Sequence, residues 1–500
     1  VNRCFSHLIA LCALGATIGG CAVGPDFKTP APPTATRYTE TPLRPTTVSA
    51  AASNGAAQTF ELGGQIPAEW WTLYQSEPLD RMIRTALAQS PTLGAAQATL
   101  RQARETLKAE RGALLFPSVD AQAQGVRERV SGLAVGQPLR GGIDATVVNA
   151  TLNASYNLDV FGGAKRQIEG FAAQVDYSRF ELEVAYLTLS SSVVSTAIKE
   201  ASIRAQLEAT EDVVQGEQKQ LSLVERQYGL GAIPKTTVLA QRTQLATTRA
   251  TVPALEKSLA QTRDQLAVLV GKPPSEAKIP DFTLDSMKLP TALPISVPAD
   301  LVRQRPDVRA SEAQLHYASA QVGVATAALY PQVNITAQYG RESLGASGLF
   351  QSQNAIWSLA SGITQPLFRA GQLTAARRAA IAAYEASFAQ YQQTVLLAFQ
   401  SVADALKALE SDAQALAITA EAESLARQNL DLAQAQYRLG AGSYLTLLDA
   451  QRQFDQTHIN LVSAQATRFA DTAALFQALG GGWWNRTEPM AEVSEPEPSH

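Results

Sequence analysis

Gln227-Tyr228-Gly229-Leu230-Gly231-Ala232 and Gln436-Tyr437-Arg438-Leu439-Gly440-Ala441 are one short phrase written twice. Working outward, Ala240-Gln241-Arg242 recurs as Ala450-Gln451-Arg452, and Leu266 to Gly271 recurs as Leu475 to Gly480. Upstream, Ser90-Pro91-Thr92-Leu93 opens a helical stretch ending at Leu115-Phe116-Pro117. Arg305-Pro306-Asp307-Val308 opens its counterpart, ending at Leu329-Tyr330-Pro331. Each half then alternates apolar and polar residues, passes an aromatic turn (Phe161, Phe368) and enters a long segment free of proline. A tandem copy of one strand-pair-plus-long-helices unit points to a symmetric structural object rather than a single-pocket enzyme.

Segment lengths sharpen this. Gly162 to Tyr228 and Arg369 to Tyr437 are each about 66 residues, or roughly 100 Å as helix. Shorter helices are expected at roughly 79–115, 235–270, 299–329 and 443–479. Two short helices end to end match one long one, which predicts an antiparallel rod. Pro253 falls inside one short helix and is expected to kink it.

The stretches between helices have period two. Val119, Ala121 and Ala123 oppose Ser118, Asp120, Gln122 and Gln124; Val148, Ala150, Leu152, Ala154, Tyr156 and Leu158 oppose Asn149, Thr151, Asn153, Ser155 and Asn157. In the second half, Val333, Ile335, Ala337 and Tyr339 oppose Asn334, Thr336 and Gln338, and Trp357, Leu359, Ile363 and Leu367 oppose Ser358, Ala360, Gly362 and Thr364. One reading is a soluble sandwich with a wet face. The other is membrane strands of roughly 9–12 residues with a lipid face and a polar lumen. Four strands cannot close a barrel, since membrane barrels begin at about eight. An open edge in lipid leaves backbone groups unpaired. Three chains sharing one barrel would supply twelve strands.

Of the 500 residues, 46% are hydrophobic and only 17% charged, with net charge −4. Without a basic patch, nucleic acid is excluded as the expected partner. No Walker loop, nucleophile elbow or HExxH motif occurs, so no enzyme and no cofactor is expected. His316 and His458 lack metal-ligand spacing and read as helix-surface residues. The methionines beyond the first twenty residues are Met82, Met287 and Met490, which gives no methionine-lined copper path.

Residues 1–20 read as a signal peptide, with Asn2-Arg3 before the apolar run Leu8 to Ile18. Ile18-Gly19-Gly20-Cys21 reads as a lipobox, so Cys21 is the expected lipidation site; the alternative is an ordinary signal with a chance cysteine. Two or three acyl chains give stable anchoring. Ala22 rather than aspartate after the cysteine suits outer-membrane sorting. The expected segmentation is a lipid-anchored extended strap (21–75), a first repeat (76–275), a linker (276–298), a second repeat (299–482) and a disordered acidic tail (483–500).

Cys21-Ala22-Val23-Gly24-Pro25-Asp26-Phe27, Trp70-Trp71, the two tip phrases, Leu448-Asp449-Ala450-Gln451-Arg452 and Ala478-Leu479-Gly480-Gly481-Gly482-Trp483 resemble the TolC-like outer-membrane efflux lipoproteins, the OprM/NodT group. The resemblance covers essentially residues 1–484. It implies a largely α-helical fold with membrane β-structure: a trimeric twelve-stranded β-barrel, four strands per chain, continuous with a long helical periplasmic barrel and a mixed equatorial collar. It implies an exit duct of a tripartite system, in the outer membrane and reaching into the periplasm, exporting small molecules such as drugs. The implied partners are a periplasmic adaptor and an inner-membrane transporter of the resistance-nodulation-division class.

The resemblance also implies site residues. The tips Gly229, Leu230, Gly231, Ala232 and Leu439, Gly440, Ala441, Gly442 meet the adaptor, and the glycines supply the freedom for a tight reversal. Tyr437 helps hold the entrance shut, and Asp449 rings the pore; its alternative is a surface carboxylate paired with Arg452. Thr446 stands where a second ring aspartate is found in the family, Gly442 where an entrance arginine is found, and Thr237 where its acidic partner is found. The charged lock of some members therefore does not carry over. A duct for secreted peptides or lipo-oligosaccharides, or a periplasmic adaptor lipoprotein, remains as the competing reading.

Overall fold

A computed structural model of the chain describes residues 22–131 and 142–487. The expected lipid site, Cys21, and the signal segment lie outside the described residues. So does the tail beyond Thr487.

The duplication is exact in element order, and in length for the two helices that build each hairpin. The first repeat contributes α1 (Glu77–Gln89), α2 (Pro91–Leu115), β2 (Ser118–Ser131), β3 (Gly142–Leu158), α3 (Gly163–Gly229) and α4 (Lys235–Leu269), after an earlier strand β1 (Thr59–Leu62). After β4 (Ala292–Ile295), the second contributes α5 (Pro298–Gln304), α6 (Pro306–Ala327), β5 (Gln332–Leu344), β6 (Ala355–Thr364), α7 (Gln372–Arg438) and α8 (Tyr444–Ala478). Both α3 and α7 have 67 residues, and both α4 and α8 have 35.

Two expected helices are each split by a proline. Ser90 (ψ 123°) and Arg305 (ψ 123°) are extended, because a proline ring crowds the residue before it out of the α region. Pro91 and Pro306 then start the next helix, where a missing N–H costs nothing. The recurring glycines Gly271 and Gly480 explain themselves here. A Cβ on Gly271 would lie 2.4 Å from the Gln89 carbonyl oxygen, and one on Gly480 2.8 Å from that of Gln304. Each glycine lets a helix end press onto the break in its own repeat. Pro253, by contrast, sits inside α4 without ending it.

The chain divides into two compact units that do not coincide with the repeats. One comprises Leu100–Ser178 and Ser311–Tyr391 with the described residues up to Pro30; the other comprises Ala31–Thr99, Arg179–Ala310 and the chain from Gln392. Each unit draws on both repeats, because α3 and α7 each begin in the first unit and end in the second.

The first unit holds one four-stranded antiparallel sheet in the order β2-β3-β5-β6. The strand pairs of the two repeats meet at β3 and β5, with Leu152 opposite Tyr339 and Tyr156 opposite Ile335. Register then places Val119, Leu152, Tyr339, Trp357, Leu359 and Ile363 on one face, and Ser118, Asp120, Thr151, Asn153, Asn334 and Ser358 on the other. The apolar face is uncovered, with Trp357 78% exposed and Ile363 74%, and on the polar face Asp120, Asn334 and Ser358 are exposed too. Strands β2 and β3, at 14 and 17 residues, are longer than expected, since their pairing continues past the alternating stretch into the hairpin. The outer edges of β2 and β6 have no strand partner among the described residues.

In the same unit, Arg166 fixes the residues that follow position 21. Its side chain donates to Asp26 (2.6 Å), Glu169 (2.8 Å) and the Val23 carbonyl (3.3 Å), and Val23 N–H donates to the Phe161 carbonyl. His316, read from sequence as a plain surface residue, instead stacks on Phe27 at 4.2 Å and bonds Glu169 at 2.9 Å. A hydrogen-bonded ring with an aromatic neighbour is cheaper to half-bury than to leave wet.

The second unit contains the main core around Trp70, Trp71, Tyr74, Phe469 and Phe476. The strap is not merely extended: β1 pairs in parallel with β4 of the linker. Arg468, 1% exposed, accounts for much of its path by donating to Gln58, Thr47 and the carbonyls of Asn54 and Ala56. The linker is pinned by the buried carboxylate of Glu200, which accepts from Arg204, Arg263 and the Phe282 N–H. Three charge-assisted bonds offset the desolvation of that carboxylate. The tail expected to be disordered from residue 483 begins ordered. Trp483–Asn485 form a short 3-10 helix, with Trp483 Nε1 donating to the Gln304 carbonyl (2.6 Å) and Arg486 paired with Glu183 (3.0 Å).

Candidate functional site

Both hairpin tips lie in the second unit and are built alike. After α3, Gly231 N–H donates to the Tyr228 carbonyl and Ala232 N–H to that of Gln227. After α7, Gly440 N–H donates to Tyr437 and Ala441 N–H to Gln436. This pair of bonds is the Schellman arrangement, and it requires a left-handed residue at its centre. Gly231 (φ 76°) and Gly440 (φ 72°) take that place. Gly229 and Gly442, expected to supply the same freedom, do not: Gly229 is the last residue of α3, and neither has positive φ. The turns push Leu230 (85% exposed) and Leu439 (83% exposed) into solvent at the point of each tip. Leu439 also ends a seven-residue series of exposed apolar residues on α7: Ile418, Leu425 and Leu432. Seven residues is close to two helical turns, so these four share one face.

Behind the tips, α3, α4, α7 and α8 pack. Tyr437 is the joint: it touches the cluster of Val224, Val238, Tyr444 and Leu448 and also that of Leu430, Ala433, Leu447 and Ala450. Its ring meets Tyr444 edge-on at 5.7 Å, and its hydroxyl donates to Gln227 Oε1 at 2.9 Å. Tyr444, whose phenol burial raises above the ordinary range, donates to Gln241 Oε1. Gln241 and Gln244 of α4 return to α3, donating to the Glu217 carbonyl oxygen and to its carboxylate.

Thr446 is placed as part of a helix cap. Ser443 Oγ accepts from Thr446 N–H at 3.1 Å, and the two hydroxyls lie 2.9 Å apart. Asp449 is 84% exposed, with Arg452 at 3.9 Å, while Arg452 Nε donates to Gln244 at 2.6 Å. The expected i,i+3 pair is thus present but long and solvated, a geometry that contributes little. Asp449 keeps a carboxylate directed to solvent two turns past the tip.

The sequence reading names Tyr437 but neither its partners Gln227 and Tyr444, nor Gln241 behind Tyr444, nor the buried Glu217 and Asp455. A signal existed. Tyr444, Leu448, Gln451 and Asp455 follow a 4-3-4 spacing, so Asp455 falls on a packed seam where an apolar residue is the norm. His458, expected on the surface, is half-buried and bonded to Glu423 at 3.2 Å on the same flank.

A sheet with a bare apolar face and a polar reverse, together with duplicated long hairpins ending in capped tips, defines an outer-membrane channel of the efflux type. The chain belongs to the outer membrane efflux protein family, whose profile matches residues 82–272 and 297–481. It is 31% identical over 455 residues to the pyoverdine export outer membrane protein OpmQ of Pseudomonas putida, covering 89% of this chain and 94% of that protein. It is 28% identical to the toluene efflux pump outer membrane protein TtgC of Pseudomonas putida, covering 98% and 99% of the two chains. Among solved structures, the outer-membrane channel OprN superposes with a TM-score of 0.83 at 26% identity, covering 93% of this chain and 100% of that one. The chain is therefore an outer-membrane channel of an efflux system, reaching into the periplasm.

Proposed function

We propose that three copies of this chain share one twelve-stranded barrel and that the duct so formed is the exit of a tripartite pump for small molecules. The observation that carries this is the four-stranded sheet with two unpaired edges and a bare apolar face. In lipid each edge must be paired, and a second and third copy pair them without any new element. Ile418, Leu425 and Leu432 on α7, continued by Leu439 just past its end, form an exposed apolar stripe that a neighbouring helix would cover.

Cys21 carries the lipid anchor in this reading, and no other cofactor is used. The tips, with Leu230 and Leu439 foremost, meet the periplasmic adaptor, and Tyr437 holds the entrance closed. Asp449, repeated three times around the axis, sets its charge; Thr446 serves the fold of the same helix end. An inner-membrane transporter of the resistance-nodulation-division class supplies the energy. The relatives named for pyoverdine and toluene bracket the cargo as small molecules of varied polarity. Mass measurement of the protein in mild detergent is expected to give three chains, and palmitate labelling to be lost in Cys21→Ser. A stable monomer would overturn the shared barrel, and undiminished labelling of Cys21→Ser the anchor.

A further inference from the structure

Two carboxylates lie buried just behind the tips. Glu217 of α3 is 2% exposed and Asp455 of α8 is 8% exposed. Glu217 Oε1 accepts from Gln244 and Thr248 of α4, each at 3.0 Å, and Asp455 Oδ1 accepts from Gln451 at 2.9 Å. The remaining oxygens, Glu217 Oε2 and Asp455 Oδ2, are buried without a hydrogen-bond partner among the described residues. Buried carboxylate oxygens without donors are costly when charged.

Among the described residues no cation is paired with either carboxylate. Arg452, one turn from Asp455, is turned to Gln244 and Asp449. On α7, Glu423 is occupied by Arg427 and His458. On α4, Arg242 is paired with Glu225 and Arg249 with Gln218. The charged group that acts on Asp455 is Glu217.

We propose that Glu217 and Asp455 form a proton-operated latch between the first-repeat hairpin and α8, set when the pair holds one proton and released when it holds none. With the proton present, the pair carries one charge and the α3–α8 packing that supports Tyr437 and Tyr444 is undisturbed. When the proton leaves to water, two like charges face each other in a dry seam and drive the hairpins apart. Burial, with Glu217 adding to it, pushes Asp455 up to about 7. A carboxyl raised above its unfolded value stabilises the packed state below that value and loses the contribution as pH rises through the folded one. The latch is therefore set on the acid side of about 7 and released on the alkaline side. The part of this concerned with conduction rests on the tips being the entrance.

The test is resting conductance of the purified protein in planar bilayers from about pH 6 to about pH 8, bracketing the midpoint. Wild type is expected to pass from closed to conducting, by at most about tenfold in the open-to-closed ratio per pH unit, the limit for one proton. Asp455→Asn is expected to stay closed throughout, and Glu217→Gln to move the transition to lower pH. An unaltered transition in both variants would overturn the latch. If Tyr437→Ala leaves conductance unchanged at every pH, the entrance reading fails instead. Infrared difference spectra between the same pH values, recorded in an Asp412→Asn background so that Asp412 does not contribute, then judge the latch alone: a protonated-carboxyl band lost on adding Asp455→Asn supports it, and a band unchanged by that substitution overturns it.

Discussion

The Tyr437 hydroxyl donates to Gln227 Oε1 at 2.9 Å, so a tyrosine of the second repeat is bonded to a glutamine of the first, one position earlier in the duplicated phrase. The reciprocal contact is absent: Tyr228, the counterpart of Tyr437, is 44% exposed. The duplication supplied equivalent residues, and only one of the two crossings was used.

Tyr437→Phe removes one hydrogen bond, a loss of about 1 kcal/mol, and keeps the edge-on contact with Tyr444. Tyr437→Ala removes both and opens two apolar clusters; because the ring is half-buried, the loss is expected at roughly 2–3 kcal/mol, below the range for fully buried aromatics. Resting conductance in planar bilayers is expected to rise slightly in the first variant and strongly in the second. Equal effects would mean that the hydrogen bond alone holds the contact.

At the tips, Gly231→Ala and Gly440→Ala place a Cβ on a left-handed residue, at a cost of roughly 1 kcal/mol each. Gly229→Ala fills a helical position and is expected to be neutral or mildly stabilising. Thermal unfolding followed by circular dichroism separates the two outcomes. Destabilisation by Gly229→Ala would show that the tips tolerate no side chain for reasons other than backbone geometry.

Arg166→Ala leaves Asp26 and Glu169 without their shared partner and releases the carbonyl of Val23. The segment around residues 23–29 is expected to become open to limited proteolysis while the remainder of the chain stays resistant. Arg166→Lys, a point charge in place of a fork, is expected to restore only part of the protection. The Arg166 guanidinium holds Asp26 below its usual range, so the clamp is present at neutral pH and weakens as the medium is acidified through that lowered value. Protection that does not fall with acid would count against a charge-dependent clamp.

Asp412 on α7 is pushed up to about 7 by burial and by the neighbouring Asp471, against the pull of Arg468. Its proton-bound form is the one the fold favours. The stability it contributes is complete below its unfolded value of 3.8 and is lost as pH rises through about 7. The melting temperature is expected to fall between about pH 5 and about pH 8, and Asp412→Asn to flatten that part of the dependence. An unchanged slope in the variant would assign the effect to other groups.

Element types and their order were legible because local chemistry sets them. Alternation of period two marked the strands, proline-free runs marked α3 and α7, and the two glycine phrases marked the tips. The same local evidence misplaced what depends on single backbone angles. Pro91 and Pro306 were read as openings but not as breaks, and all four tip glycines were credited where only Gly231 and Gly440 take positive φ.

By itself the sequence determined the duplication, the amphipathic strands, the tip residues and the family, since each rests on residue type at a fixed spacing. Tertiary structure alone decided which equivalent residues meet. Register between β3 and β5 joined the two strand pairs into one sheet with one apolar face. Packing of α3 against α8 brought Glu217 and Asp455, 238 positions apart by their numbers, into mutual influence. The reason is physical: burial and through-space charge depend on which helix faces come together, and no local spacing records that choice.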